Sequence, residues 1–396
     1  MPTGRAVALV TAAALLGDTL LYTALPVNAA RLGLDALAIG LILSLNRWVR
    51  LVTNPFAARL YERLPAGGLI FVALALAVAS TAAYALPAAL ALFLAARLVW
   101  GMAWSLLRLG SLLSAIEGAG GRAGRALGDM RAVYGLGYLG GAVYAPFAVE
   151  SFGWGAAALG AAALTLLLGI GPALTVADWR REVDVNEREE AAIRRSLVDP
   201  RFIGLFVVAA VQYALWSGVV PIAGGLRIAE IFGGGALVLA IPLAATIVAG
   251  LFILGQRLSN VLWTPVAGRL ADRALAPTFV ASTLGASGAS LLLALTHDAT
   301  AFVAIGALAF FSGITSTVAL ELSIAHRTTA GDRPRILGAY NTWADAGAAI
   351  GALSAGFIAL AGTHVPFVTA AVLTVATLAW APAIRTRALT VGASAR

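Results

Sequence analysis

Two short segments carry side chains suited to gripping an anion. Asn46, Arg47, Arg50 and Asn54 stand at relative positions 0, 1, 4 and 8. At about 100° per residue in an α-helix they fall within about 100° of arc and form one polar stripe. Gln256, Arg257, Asn260 and Thr264 repeat the spacing. A guanidinium cannot shed its proton in a protein, and its planar fork binds carboxylate or phosphate oxygens through two parallel N–H donors. Arg97, Gly101 and Arg108, at 0, 4 and 11, share a face of another apolar run. The acids lying in apolar runs are Asp18, Asp345 and Glu321. Burial favours a neutral carboxyl and a neighbouring arginine favours the ionised form, so losing an arginine partner would prompt proton uptake. Asp18, one turn before Tyr22, is the first candidate for such a carrier. Asp345, one turn after Asn341, is the second, and Glu321, which could instead pair with Arg327 or Arg335, is the third.

The elements that hold these residues are set by composition. The chain has 396 residues, 60% apolar and only 12% charged, with mean hydropathy +0.90 and no cysteine. A soluble domain carries about 25% charged residues, so an ordinary soluble enzyme is excluded. Apolar runs bounded by Gly, Pro or charge predict helices near 6–30, 36–57, 67–86, 88–115, 130–149, 155–176, 202–222, 236–263, 276–296, 300–324, 336–361 and 364–383. A bilayer-crossing helix needs roughly 20 apolar residues, so the expected fold is an all-α membrane protein with 12 transmembrane helices in two pseudo-symmetric six-helix bundles. The first run stays apolar for about 25 residues, longer than the apolar core of a signal peptide, and is read as a retained helix. The halves are 1–176 and 202–396, joined by a charged cytoplasmic linker, 177–201, in which Glu190 and Arg194 are spaced for a short surface helix.

All 27 basic residues are arginine. Twenty fall in segments read as cytoplasmic, and Arg31 and Arg227 fall on the other side. That bias places both termini in the cytoplasm and the chain, as a multi-pass protein, in the cytoplasmic (inner) membrane. The remaining five, Arg47, Arg50, Arg97, Arg108 and Arg257, lie inside spans, where ionisable side chains mark function. The +8 net charge thus reflects topology rather than nucleic-acid binding. Without lysine there is no nucleotide-binding G-x-x-x-x-G-K-[ST] loop. Three separated histidines and no cysteine offer no metal cage. No enzyme chemistry, cofactor or metal is expected. The partners expected are the lipid bilayer and a small-molecule substrate, with the protein a monomer.

A parallel internal repeat would place matching residues at one offset. A shift of 210 pairs Arg47, Pro55, Ala57, Arg59, Leu60 and Arg63 with the identical residues Arg257, Pro265, Ala267, Arg269, Leu270 and Arg273. The same shift puts Gly137 and Gly141 on Gly347 and Gly351, while the first helix matches the seventh at 195, pairing Pro26 with Pro221. Related by this repeat, the two polar stripes should face each other across a central cavity. Five intramembrane arginines against three acids leave two unbalanced positive charges, and an unpaired buried charge costs several kcal/mol. A small anionic solute held between Arg47 and Arg257, with Asn46, Gln256, Arg50 and Asn260 beside them, would meet that need. The alternative is that each arginine pairs with helix carbonyls and holds the halves together. Tyr134, Tyr138, Gln212, Tyr213, Trp216 and Ser217 are further candidates to line the cavity.

These residues resemble the major facilitator superfamily. GRLADR, Gly268 to Arg273, is similar to the family's loop motif between spans eight and nine; Gly268, Asp272 and Arg273 are its gating residues here. The first-half copy reads ARLYER, with Arg59, Glu62 and Arg63 as counterparts. RLVWG, Arg97 to Gly101, resembles the R-x-x-x-G motif of proton-coupled exporters, which implies a part for Arg97 in proton coupling. DTLLYTALP, Asp18 to Pro26, is similar to the first-helix motif of drug/proton antiporters. Span five departs from the antiporter pattern, reading GLGYLGG with Tyr138 where that motif has proline. The resemblance implies a secondary transporter driven by a proton gradient through alternating access, with export favoured. Left open are multidrug export of apolar or cationic compounds, proton-coupled uptake, and a non-transporting sensor or assembly partner.

Overall fold

The computed structural model describes residues 2–86, 90–117, 123–180, 197–328 and 333–384. They form twelve helices: α1 (Thr3–Asn28), α2 (Ala36–Arg63), α3 (Ala66–Ala83), α4 (Leu90–Glu117), α5 (123–152), α6 (154–174), α7 (Ile203–Phe232), α8 (Ala245–Arg273), α9 (Leu275–Leu295), α10 (Ala299–His326), α11 (Arg333–Ala359) and α12 (Val365–Ile384). Helix starts carry recognisable caps: Asp35 accepts the Ala38 N–H at 2.7 Å, and Asp298 accepts that of Ala301 at 2.8 Å. α5 and α6 join without a loop. Gly153 alone, at φ 80° and ψ 167°, reverses the chain in backbone space that L side chains avoid. The Glu190–Arg194 pair lies outside the described residues.

The 210-residue repeat is visible as packing. Gly137 and Gly141 let α5 close onto Ala12 and Thr19 of α1, and Gly347 and Gly351 let α11 close onto Ala210 and Ala214 of α7. In both halves small residues permit backbone approach where lipid supplies no hydrophobic drive between helices. α1, apolar on every side, is buried almost throughout. Beyond its own half it touches α7 and α8.

Two elements differ from expectation. The seventh helix continues to Phe232 rather than ending near 222, and 236–244, expected to begin the eighth, is a short antiparallel hairpin, Ala236–Val238 with Ile241–Leu243. Pro221 lies one residue before that expected end. The chain instead takes one wider π-type turn at Leu215–Val219, in which the Val220 N–H reaches back five residues to the Leu215 carbonyl, and helix resumes after it.

The halves meet tightly at the end of the bundle opposite the termini and the linker. There Gly225 of α7 abuts Pro26 of α1, Gly250 of α8 abuts Pro146 of α5, and Asn28 donates to Thr246 Oγ1 at 3.2 Å. Gly40 of α2 faces the Leu353 carbonyl of α11, and Gly356 of α11 faces Ala36.

Candidate functional site

Midway along the bundle the five arginines sort into three kinds of environment. Arg97 of α4 is fully buried inside the first half. Its Nη1 lies 2.6 Å from Asp18 Oδ1 of α1, and its Nε donates to the Ile42 carbonyl of α2 at 3.1 Å. The Tyr22 ring lies between this pair and the second half, with the Arg97 and Arg47 guanidinium carbons 5.8 and 5.7 Å from its centroid, and the Tyr22 hydroxyl donates to the Leu43 carbonyl at 3.0 Å. Asp18 and Arg97 thus form a closed ion pair facing the interior of α1, α2 and α4.

Asp345 of α11 is shared by two arginines of the other half. Its Oδ2 accepts from Arg108 at 2.8 Å and its Oδ1 lies 3.6 Å from Arg50. This cluster crosses between the halves through α2, α4 and α11. Glu321 lies on α10 and has a contact of its own.

Arg47 also crosses between the halves, to backbone. It donates to the Ala348 carbonyl of α11 at 2.6 Å and to the Ser217 carbonyl of α7 at 2.9 Å. The reason lies four residues along α7. The Ser217 carbonyl would pair with the N–H of residue 221, and proline has none. The Trp216 carbonyl loses its partner as well, because the Val220 N–H serves Leu215 across the wide turn; Gln256 Nε2 fills that position at 2.7 Å. Pro221 therefore frees two carbonyls in the middle of the membrane, where each must be satisfied, and one residue from each polar stripe satisfies them. Arg47 is held here as the alternative reading describes, with both terminal nitrogens on carbonyls of the opposite half.

Arg257 differs. Its guanidinium carbon lies 4.3 Å from the centroid of the Tyr138 ring of α5, across the inter-half boundary. Among the described residues its guanidinium makes no hydrogen bond, and Nε is buried without a partner. A cation over an aromatic face is stabilised by about 0.5–2 kcal/mol, and its N–H donors remain unspent. Asn260 Nδ2 bonds the Gln256 carbonyl at 2.8 Å on the same helix. Asn46 is buried with its Oδ1 unpartnered.

Other expected site residues are more scattered. Tyr213 lines a niche in the second half and meets Tyr340 edge-on at 6.2 Å. Tyr134 packs on Trp104 inside the first half, 6.2 Å between rings. Arg59, Arg63, Asp272 and Arg273 are exposed and make no ion pair among the described residues, and space around Gly268 is open; the Glu62 side chain lies outside the described residues. A cavity of about 820 Å³ lies at the terminal end of the first half beside Arg5, Glu117, Asp129 and Trp179, away from the arginines. The sequence reading named helix carbonyls as the alternative partners of Arg47 but not which ones, although Pro221 was their signal.

A family model described as Major Facilitator Superfamily matches residues 7–264, well over half of the chain. The chain belongs to the Major Facilitator Superfamily. No curated protein matches it in sequence. Among solved structures, a variant of the nucleoside transporter NupG is similar over 97% of this chain and 100% of its own, with TM-score 0.79 and 12% identity. A bacterial homologue of the human lysosomal transporter Spinster, in an inward-facing and unoccupied conformation, covers 97% and 96%, with TM-score 0.74 and 14% identity. The human organic anion transporter MFSD10 covers 97% and 100%, with TM-score 0.63 and 17% identity. At such identities the likeness is one of fold. This facilitator is an all-α, multi-pass membrane transporter of solutes and not an enzyme.

Proposed function

We propose that this facilitator moves a small organic anion by proton-coupled alternating access, export being the favoured direction, in the cytoplasmic membrane with both termini inside. The observation that carries the reading is Arg257, a permanent cation between the halves with no acidic partner and no hydrogen bond among the described residues. A carboxylate in the guanidinium fork would supply charge-assisted hydrogen bonds worth roughly 1.5–3 kcal/mol each. The Asp18–Arg97 pair supports the proton assignment: it is the buried acid–base contact that a proton on Asp18 would dissolve. It also weighs against cationic drug export, since the carboxylate that would hold the drug is taken at 2.6 Å.

The test is flux in liposomes. Uptake or release of an anion identified by thermal-shift screening should follow an imposed pH gradient, survive sodium removal, and collapse when the gradient is dissipated. Normal anion flux in Arg257→Gln would remove the anion site from consideration, and flux indifferent to the pH gradient would remove the proton.

A further inference from the structure

We infer that the cargo carries at least two negative charges on one small frame, as a dicarboxylate or a phosphate monoester does, and that Arg50 of the first half receives it together with Arg257 of the second. The inference rests on the reading of Arg257 as an anion receptor and adds the valence of the cargo and its second contact. Charge comes first. Between the halves stand four permanent cations, Arg47, Arg50, Arg108 and Arg257. Among the described residues their ion pairs set one carboxylate against them, Asp345, which Arg50 and Arg108 share. The carbonyls on Arg47 solvate its charge and do not cancel it. Arg97 and Asp18 offset each other inside the first half. Four cations less one carboxylate leave three positive charges at mid-membrane, where uncompensated charge is costly. A monoanion would leave two of them, and a dianion one.

The donors say where a second negative charge would go. Asp345 accepts from Arg108 at 2.8 Å and stands 3.6 Å from Arg50, beyond hydrogen-bonding distance. Among the described residues the Arg50 guanidinium makes no hydrogen bond; its side chain is 9% exposed, and its Nε is buried without a partner. Arg257 is in the same condition, with Nε buried and unpartnered and an aromatic ring, not an acceptor, against its face. The edge formed by Nε and a terminal nitrogen is the one that grips a carboxylate or phosphate through two parallel bonds. Two such forks are unspent, one in each half. The repeat does not duplicate them. A shift of 210 carries Arg50 onto Asn260, which turns back onto the Gln256 carbonyl of its own helix.

The two forks flank one junction. Arg47 and Gln256 take the consecutive carbonyls of Ser217 and Trp216 on α7, so the two polar stripes meet there. Arg50 follows Arg47 by three residues, about one turn, and Arg257 follows Gln256 directly. Arg47 is near enough to repel both guanidinium groups, and the Tyr138 hydroxyl feels the charge of both. A doubly charged anion at this junction would screen that repulsion, engage both sets of donors and touch both halves at once.

The experiment is calorimetric titration of the purified full-length protein at about pH 8, where dicarboxylates and phosphate monoesters are doubly ionised. The probes are malonate, succinate, glutarate and methyl phosphate. Each dicarboxylate is paired with its monoamide and methyl phosphate with dimethyl phosphate, which keep the frame and remove one charge; succinamide removes both. The tightest dianion should bind at least about tenfold more tightly than its singly charged partner, the loss expected when one charge-assisted contact disappears. Arg50→Gln and Arg257→Gln should each cost that dianion about tenfold or more and abolish its advantage. Tightest binding by a dicarboxylate or by methyl phosphate supports the double charge either way and tells the two sources apart. Singly charged probes that match every dianion, all weakened by Arg257→Gln, overturn the double charge and leave the anion site standing. Unchanged dianion affinity in Arg50→Gln overturns Arg50 as the second contact. Succinamide matching succinate, or no probe responding to Arg257→Gln, overturns the anion reading itself. Absence of binding by every dianion overturns the inference. The wild-type series decides the valence without any variant, and Arg50→Lys and Arg257→Lys, which keep the charge and lose the fork, cover the case in which a glutamine variant fails to fold.

Discussion

Arg47 and Arg257 hold the same place in the two halves, 210 residues apart, each at the second position of a polar stripe and each reaching across to the opposite half. Their surroundings divide them. Arg47 reaches Ala348 and Ser217, small residues that leave their carbonyls open, and it spends its donors there. The repeat carries Ala348 onto Tyr138 and, at the first-helix offset of 195, Ser217 onto Tyr22. On that side a ring stands where the other side shows bare backbone, so Arg257 rests on the Tyr138 face with its fork unspent. Equivalent cations thus serve unlike ends. One is tied to backbone of the opposite half, and the other keeps its donors unspent among the described residues, a difference made by what lies opposite and not by the arginines.

The comparison can be broken at several points. The largest effect is expected outside the two arginines, at the buried pair that Tyr22 separates from them. Asp18→Ala should leave Arg97 charged, buried and without its acid, lowering stability by about 3–5 kcal/mol, read as detergent-solution melting temperature. Asp18→Asn should retain more stability and lose gradient-driven flux.

Next is Arg47→Gln, which should loosen the end opposite the termini, since two charged hydrogen bonds worth roughly 1.5–3 kcal/mol each disappear. Because the chain has no cysteine, Ala30→Cys and Gly234→Cys accept spin labels specifically, and the distance distribution between them should broaden toward longer values. Arg257→Gln should leave that distribution unchanged; if it broadens equally, the two arginines are not divided as described. Exchanging the surroundings sharpens the point further. Tyr138→Ala should let Arg257 turn toward backbone and weaken anion binding by about 0.5–2 kcal/mol, the worth of the lost cation–π contact, as measured by titration. The smallest effect is expected from Pro221→Ala. The restored N–H competes for the Ser217 carbonyl, and the Arg47 contact should weaken by about 0.5–1.5 kcal/mol, visible as a modest broadening in the same spin-label measurement.

Much of the fold was legible because bilayer constraints are strong. Length, apolarity and the arginine distribution predict twelve helices, and the offset of 210 exposes the pairing that appears in the structure as Gly137 and Gly141 on α1 and Gly347 and Gly351 on α7. The errors lie where backbone chemistry overrides pattern. The seventh helix was expected to end at 222, just past Pro221, yet a single wide turn absorbs the proline's missing donor, and helix continues for eleven residues past it to Phe232. The hairpin at Ala236–Leu243 is as apolar as the helices around it, so composition could not separate them; Leu239 and Ala240 at φ 50° and 64° make its turn from residues that do not advertise one. For the site, the side chains in the stripes were found, and carbonyl partners were named in kind but not by position. Opposite charges can be counted in a sequence, whereas an available carbonyl depends on which N–H is absent four residues later.

The acceptors of Arg47 are backbone atoms, and this bears on how such a protein can vary. A carbonyl persists through any substitution at 217 or 348 that stays small, so the contact that holds the halves together is insulated from drift in neighbouring side chains. The contact of Arg257, by contrast, is a side chain, the Tyr138 ring. That ring can be exchanged without touching the carbonyls that hold Arg47. A contact made to backbone in one half and a contact made to an aromatic ring in the other can therefore vary independently.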